Sequence, residues 1–375
     1  NTSRPNTITD GLNDRHFSIW SSHGRYYDVN KGYWKWQRPN LFGTTEDLYT
    51  QTIVIPYLLP MLENAGAVVI SPRERDWQKQ EVIVDNDNPK ITGIISYSEV
   101  NNKKKWETIE GSGFAYHQGT YADGENPFIA GSARKIKSRK RNSKLSHISY
   151  QPIIPEDGNY AVYVSYKTVK KSVDDAEYIV FHKGQETHFR VNQQMGGGTW
   201  VYLGTFAFDK GCNIFNRVIL TNHSKHRGVV TADAVRFGGG MGNIARGGQI
   251  SGLPRALEGA RYYTQWAGAP RDVVSKSNGT NDYNINSRSL YTNWLAGGSS
   301  YIPKKEGLKV PIELVLAVHS DAGVKADGTT VGTLSICTTQ QGNPTFGNGL
   351  SRRTSQTFAS QLITNAKRDI ESTFK

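Results

Sequence analysis

The chain has 375 residues, 37% hydrophobic and 21% charged, an ordinary balance for a globular protein with sizeable cores and room for two domains. Its formal net charge of +12 predicts attraction to polyanions, and charge alone does not choose among nucleic acid, anionic glycopolymer and acidic membrane surface. The two cysteines, Cys212 and Cys337, imply neither a disulfide framework nor a thiolate zinc site, and no apolar run reaches membrane-spanning length.

The opening NTSRPNTITDGLNDR has no Met and no apolar signal core, so it reads as a mature form whose signal peptide has been removed. Residues 11–80 then alternate strand and helix. FSIWSS is a short apolar run ended by His23-Gly24. Thr44 or Thr45 can cap a helix carrying Leu48, Ile55, Leu58, Leu59 and Leu62 on one side, which Pro56 and Pro60 should kink or shorten. Gly66 is the stop, AVVIS is the next buried strand, and a right-handed crossover implies that the two strands pair in parallel.

From about Glu81 the pattern turns all-β. Short runs such as EVIVDND, NYAVYVSYKT, AEYIVFHK, TWVYLGTFAF and VVTADAVRFG, separated by Gly, Asn, Asp or Pro turns, predict a β-sandwich over 81–245. Its densest basic run, Arg134 to Lys144, reads as a solvated hairpin rather than a nucleic-acid patch. After GGGMGNIARGGQ the α/β pattern resumes over 246–375, with a helix at Leu253 to Ala267, the strand ELVLAVHS and a closing helix from Ser351 to Phe374. The expected fold class is α/β: an open, mostly parallel sheet built from 1–80 and 246–375 and interrupted by an all-β sandwich. SPRERDWQKQ and GGGMGNIARGGQ are expected to be exposed, polar hinges.

Three distant residues carry the chemistry. His23 and His319 end strand-like runs, where the carboxyl edge of an α/β sheet gathers ligands, and Glu46 opens the helix-like run beside them. Two His and one carboxylate, leaving a fourth position open, are what hydrolytic zinc requires. Each also has an ordinary role: a loop histidine, an acid in a first helical turn, a histidine at a strand end.

In the order and context of these residues, with ENAGAVVISPRERD and LVLAVHSDAG, the chain resembles the zinc-dependent N-acetylmuramoyl-L-alanine amidases of the amidase-3 type over residues 11–80 and about 252–375. The resemblance implies zinc held by His23, Glu46 and His319, and hydrolysis of the amide between N-acetylmuramic acid and L-alanine in peptidoglycan. In that family a glutamate on a strand after the last helix is the general acid/base, which here would fall beyond Lys375. The sequence is then either a portion of a longer protein or an incomplete catalyst, with Asp321 the stand-in base if it reaches the zinc water. The central segment resembles the golvesin-like, carbohydrate-binding-like β-sandwich, which implies glycan binding or placement on the cell wall. Trp106, Tyr116, Tyr121, Tyr166 and Trp200 are its candidate sugar-stacking residues, although aromatics in a sandwich also serve as core. A periplasmic or extracellular bacterial location follows, with peptidoglycan or muropeptide as substrate and neither a nucleic-acid partner nor a membrane span. Two other readings stand: a non-catalytic cell-wall or glycan-binding protein, and a zinc peptidase on another peptide, which the long gap between His23 and Glu46 disfavours.

Overall fold

Strand His16–Ser21 is buried at every position, as a strand covered on both faces must be, and its run of Phe17, Ile19 and Trp20 supplies that core. It is the middle of three parallel strands, with Ile312–Val318 on one side and Val68–Ile70 on the other. The computed structural model describes residues 11–41, 43–274, 280–320, 327, 329, 332–339 and 344–374.

The expected α/β fold on an open, mostly parallel sheet is overturned. Parallel pairing among the described strands is confined to this three-stranded sheet, and every other sheet is antiparallel, so the molecule is predominantly β. One physical reason is visible between the first two parallel strands. With Pro56 and Pro60 in the segment, the helical stretch is irregular: it runs through Glu46–Tyr49, Gln51–Ile53, a π-turn at Val54–Leu58 and Leu59–Asn64 without forming one regular α-helix. The closing helix Arg353–Thr373 does form, but Ala359 is its one buried residue, so it adds little to a layered core.

The sandwich has a five-stranded antiparallel sheet in the spatial order Tyr97–Val100, His147–Tyr150, Arg217–Thr221, Ala176–His182, Gln185–Val191. Opposite lie a four-stranded sheet (Val201–Phe208, Gly158–Val164, Val235–Phe237, Val82–Val84) and a three-stranded one (Glu107–Gly113, Gly131–Lys137, Val229–Ala232). Alternating Val, Ile, Leu and Tyr from these sheets fill one core, each large side chain worth about 1.5–3 kcal/mol on burial. Val82–Val84 pairs with Val235–Phe237, so the chain enters and leaves the sandwich on neighbouring strands.

The expected exposed hinges are buried in part: Trp77, Lys79, Met241 and Gly247 to Gln249 are exposed, and the rest is half-buried or buried. Arg73, Glu74 and Gly238 to Gly240 are inaccessible, because the joint carries an ion-pair network. Arg236 Nη1 lies 2.7 Å from Glu74 Oε2, and Arg255 Nη1 lies 2.7 Å from Glu81 Oε1. A second core, containing Trp34, Phe114, Trp200, Tyr262 and Trp266, is shared between the sandwich and the flanking segments. Composition changes at the joints, but packing continues through them.

Candidate metal centre

The carboxyl end of strand His16–Ser21 is tied to the first turn of helix Glu46–Tyr49 by one buried serine. The Ser22 N–H donates to Thr50 Oγ1 (3.0 Å), its hydroxyl pairs with the same oxygen (2.8 Å) and donates to the Glu46 carbonyl (3.2 Å), and Arg288 donates to the Ser22 carbonyl. The next residue, His23, is thereby held facing Glu46. Gly24 follows because a Cβ there would come within 2.6 Å of the Glu258 backbone. On the neighbouring strand Val318 is the partner of Ser21, so His319 leaves the sheet at the same edge.

The donor atoms of His23, Glu46 and His319 all lie within 4.8 Å of one another. His319 Nδ1 is 2.8 Å from Glu46 Oε1, His23 Nδ1 is 3.7 Å from Glu46 Oε2, and the two rings meet edge-on with centroids 4.9 Å apart. The His23 and Glu46 side chains are 3% and 5% exposed, whereas His319 is 35% exposed, which leaves the cluster open to solvent on the His319 side.

The electrostatics suit a cation. Burial lowers the pKa of His23 below the ordinary imidazole value, which keeps the ring neutral and a lone pair free. Burial opposes ionisation of Glu46, but the His319 hydrogen bond and the nearby imidazoles outweigh it and hold this carboxyl below the usual range. His23 Nδ1 and Asp47 Oδ1 are buried without a hydrogen-bond partner although 3.3 Å apart. Two imidazoles, one carboxylate and an unpartnered buried nitrogen fit a zinc ion, whose ligands are N and O donors of this kind.

Three supporting residues escaped the sequence reading. Asp47, wholly buried, accepts the Gln37 and Arg38 N–H groups on Oδ2 (2.8 and 3.0 Å) while presenting Oδ1 to His23. Arg38 Nε lies 3.2 Å from Glu46 Oε2 on the exposed side. Arg288 sits beneath the site, where burial pulls its pKa down to about 10. The tandem Glu-Asp in a first helical turn was the available signal for Asp47. Arg288 had only the polar run NINSRS around it. The candidate base Asp321 lies outside the described residues.

The candidate sugar-stacking residues do not form a platform. Trp106, Tyr121, Tyr166 and Trp200 are each at most 5% exposed, and Tyr116 is half-buried. Trp200 donates to the Trp266 carbonyl (3.1 Å) and Tyr166 to the Met195 carbonyl (2.6 Å), so their polar ends are used inside the core, as buried Trp and Tyr require.

With this geometry in hand, known proteins give the following likenesses. The family model described as the Golvesin C-terminal domain matches residues 114–239, within the sandwich, so a golvesin-like, carbohydrate-binding-like all-β module is present and the flanking segments lie outside the match. A xanthan lyase from Bacillus sp. (strain GL1) is 32% identical over 92 residues, 24% of this chain and 10% of that protein. The chain therefore spans about a tenth of that relative's length. Among solved structures, a Paenibacillus xanthan lyase aligns with a TM-score of 0.31 at 22% identity, covering 42% of this chain and 13% of that one. The C-terminal CBM6 of LamC from Zobellia galactanivorans aligns with a TM-score of 0.22 at 18% identity, covering 36% of this chain and 99% of that module. No helix among the described residues is long and apolar enough to cross a membrane.

Proposed function

We propose that the chain is a zinc-dependent hydrolase of cell-wall glycopeptide, acting outside the cytoplasm on the amide between N-acetylmuramic acid and L-alanine, with the sandwich engaging the glycan. The observation that carries the hydrolytic half is the convergence of His23, Glu46 and His319 within 4.8 Å at one sheet edge. The choice of substrate rests on the amidase resemblance of the flanking segments. The glycan half draws on the golvesin match and on the xanthan lyase relative, whose name is that of a polysaccharide-cleaving enzyme.

A zinc ion held there would supply Lewis acidity, polarising the scissile carbonyl and bringing water to nucleophilic reactivity near neutral pH. The protein's own residues do the rest. The backbone that carries His23 is held by the contacts of Ser22 with Thr50 and Arg288. Glu46 is aimed by His319 and by the Ser320 N–H at 3.2 Å. Arg38, 36% exposed beside Glu46, is placed to hydrogen-bond a substrate carbonyl or carboxylate.

A second reading is a non-catalytic glycan-binding protein, favoured by the golvesin match lying wholly in the sandwich. One experiment separates the two. Zinc is titrated into apo protein, and release of stem peptides from purified peptidoglycan is followed for the native chain and His319→Ala. One zinc per chain with release that disappears in the variant supports the hydrolase. Stoichiometric zinc with no release, together with retained glycan binding, leaves the binding protein, and no zinc uptake removes the metal centre altogether.

A further inference from the structure

One end of the sandwich is made of four connections between strands, and these are bound to one another by main-chain and short side-chain hydrogen bonds. Asn102 donates to Ser146 Oγ and the Leu145 carbonyl, Arg139 N–H to the Asn222 carbonyl, Ser138 N–H to the Gly228 carbonyl, and Val229 N–H to the Lys171 carbonyl. Residues 101–105, 138–146, 169–175 and 222–228 therefore form one continuous, rigid rim.

That rim is cationic. Lys103, Lys104 and Lys105 stand on the first connection and Lys140, Arg141 and Lys144 on the second, all exposed. Lys170 and Lys171 follow on the third, Lys225 and Arg227 on the fourth. Against these ten exposed cations and the half-buried Arg139, the same connections offer two carboxylates, Asp174 and Asp175, so most of the chain's net +12 is concentrated here. Asp175 is already engaged by the Ser224 hydroxyl and the Lys225 N–H. Asp174, Asp175 and His226 have donors within 4.8 Å of one another, but so positive a neighbourhood disfavours a cation there. Ten like charges held at one end at the cost of mutual repulsion focus the field of the whole molecule outward from it.

We propose that this rim binds an anionic glycan. The inference extends the glycan half of the function proposed above and is independent of its metal centre. Charge complementarity selects a polyanion. Eight of the ten exposed cations are lysines, compact point charges that attract a polyanion without fixing the geometry of its anionic groups. Stacking of nucleobases needs exposed aromatic rings, and Trp106 and Tyr166, which border these connections, are buried. Three of the four connections lie inside the golvesin-matched segment.

The test uses the intact chain and polygalacturonate as probe, at low and at high ionic strength. The rim variant combines Lys104→Gln, Lys140→Gln, Lys171→Gln and Lys225→Gln, one from each connection. A control of equal net charge combines Lys31→Gln, Lys79→Gln, Lys304→Gln and Arg353→Gln, all exposed and away from the rim. Polygalacturonate affinity should fall about tenfold or more in the rim variant and less than about threefold in the control, with unchanged unfolding midpoints. Equal losses in both variants would overturn the localisation. Tighter binding of duplex DNA or inorganic polyphosphate than of polygalacturonate at matched charge would overturn the choice of partner. A zinc chelator should leave all of these affinities unchanged, so loss of the metal centre cannot be mistaken for loss of the rim.

Discussion

Two buried polar clusters lie in this protein, and they are built on opposite plans. At the joint between sandwich and flanks each carboxylate meets a guanidinium: Glu74 with Arg236, Glu81 with Arg255, with Tyr163 donating to Glu74 and the Arg236 guanidinium 3.8 Å from the Tyr163 ring centroid. At the edge of the parallel sheet, acceptors and lone pairs converge instead, with Glu46 and Asp47 facing His23 and His319. The first arrangement sets charge against charge, although Arg236 Nε and Nη2 and Arg255 Nε are buried without a hydrogen-bond partner, and the second gathers groups of the kind that ligate a cation. A buried cluster is thus read by whether its charges are balanced, not by how polar it is.

The largest effect expected from this contrast is at the joint. Arg236→Met leaves Glu74 buried with its main counter-charge gone, and breaking a buried pair from one side costs about 3–5 kcal/mol. Urea unfolding should show that loss together with failure of the flanks and sandwich to unfold as one unit. A loss below about 1 kcal/mol would mean that the joint is not structural and would break the comparison.

Glu258 lies between the two plans, since it is buried near Arg255 but its Oε2 has no hydrogen-bond partner. Burial pushes its pKa from 4.5 up to about 7. The folded state therefore keeps the proton over a window in which the unfolded chain releases it. Stability is fully present below about 4.5 and is lost as pH rises through about 7. The whole shift corresponds to roughly 3 kcal/mol. Across that window the urea midpoint of Glu258→Gln, which keeps the acceptor for Ser251 (2.5 Å), should fall less, or rise more, with rising pH than that of the native protein. Asp85, pushed up to about 7 by its own burial, adds slope of the same sign as Glu258, whereas His16 and His23, lowered by burial, add slope of the opposite sign in both proteins. An identical slope in both proteins would show that Glu258 does not hold the proton.

The sheet-edge cluster gives the next effect. An ion that binds only the folded state stabilises by mass action, about 2.7 kcal/mol at a hundredfold excess over the dissociation constant. Zinc should raise the unfolding midpoint accordingly, and the rise should vanish in His23→Ala. Asp47→Asn keeps an acceptor for Gln37 and Arg38 but presents N–H groups to His23 Nδ1. Zinc affinity should drop about 10- to 100-fold, the usual cost of altering a residue beside a metal ligand, because the new amide N–H would occupy the His23 Nδ1 lone pair, with the apo midpoint nearly unchanged. An unaltered affinity would make Asp47 a loop anchor and nothing more.

The sequence carried the local parts of this picture further than the global ones. His23, Glu46 and His319 were readable because each ends or begins an apolar run, and strand edges and helix starts are local signals. The alternating strands of the sandwich were readable for the same reason. What failed was the inference from strand, helix, strand to an open parallel sheet, since the helix is irregular in the segment holding Pro56 and Pro60 and the helix Arg353–Thr373 packs almost nothing. The joints misled because Arg, Glu and Gln in SPRERDWQKQ resemble a solvated linker, while Arg236, more than 150 residues away, turns Glu74 inward. Trp106, Tyr121, Tyr166 and Trp200 misled in the other direction, because an aromatic residue in a strand looks alike whether it faces a sugar or a neighbouring sheet.

The smallest effect concerns how the site is held rather than what it holds. Thr45 caps the helix whose first two residues are Glu46 and Asp47, accepting the Asp47 N–H at 3.4 Å and donating to the Arg38 carbonyl at 3.2 Å. Thr45→Ala should cost about 1 kcal/mol, the usual value of such a cap, and should loosen Glu46 and Asp47 together. Zinc affinity should therefore fall a few-fold along with the unfolding midpoint. Thr52→Ala, about two turns on, removes an exposed hydroxyl that donates to the Tyr49 carbonyl at 2.7 Å without touching either acid, and should leave zinc affinity alone. If the two variants weaken zinc equally, the helix acts as a whole and its first turn has no special part in presenting the donors. If Thr45→Ala alone weakens it, the capped turn is what holds Glu46 and Asp47 against the two histidines.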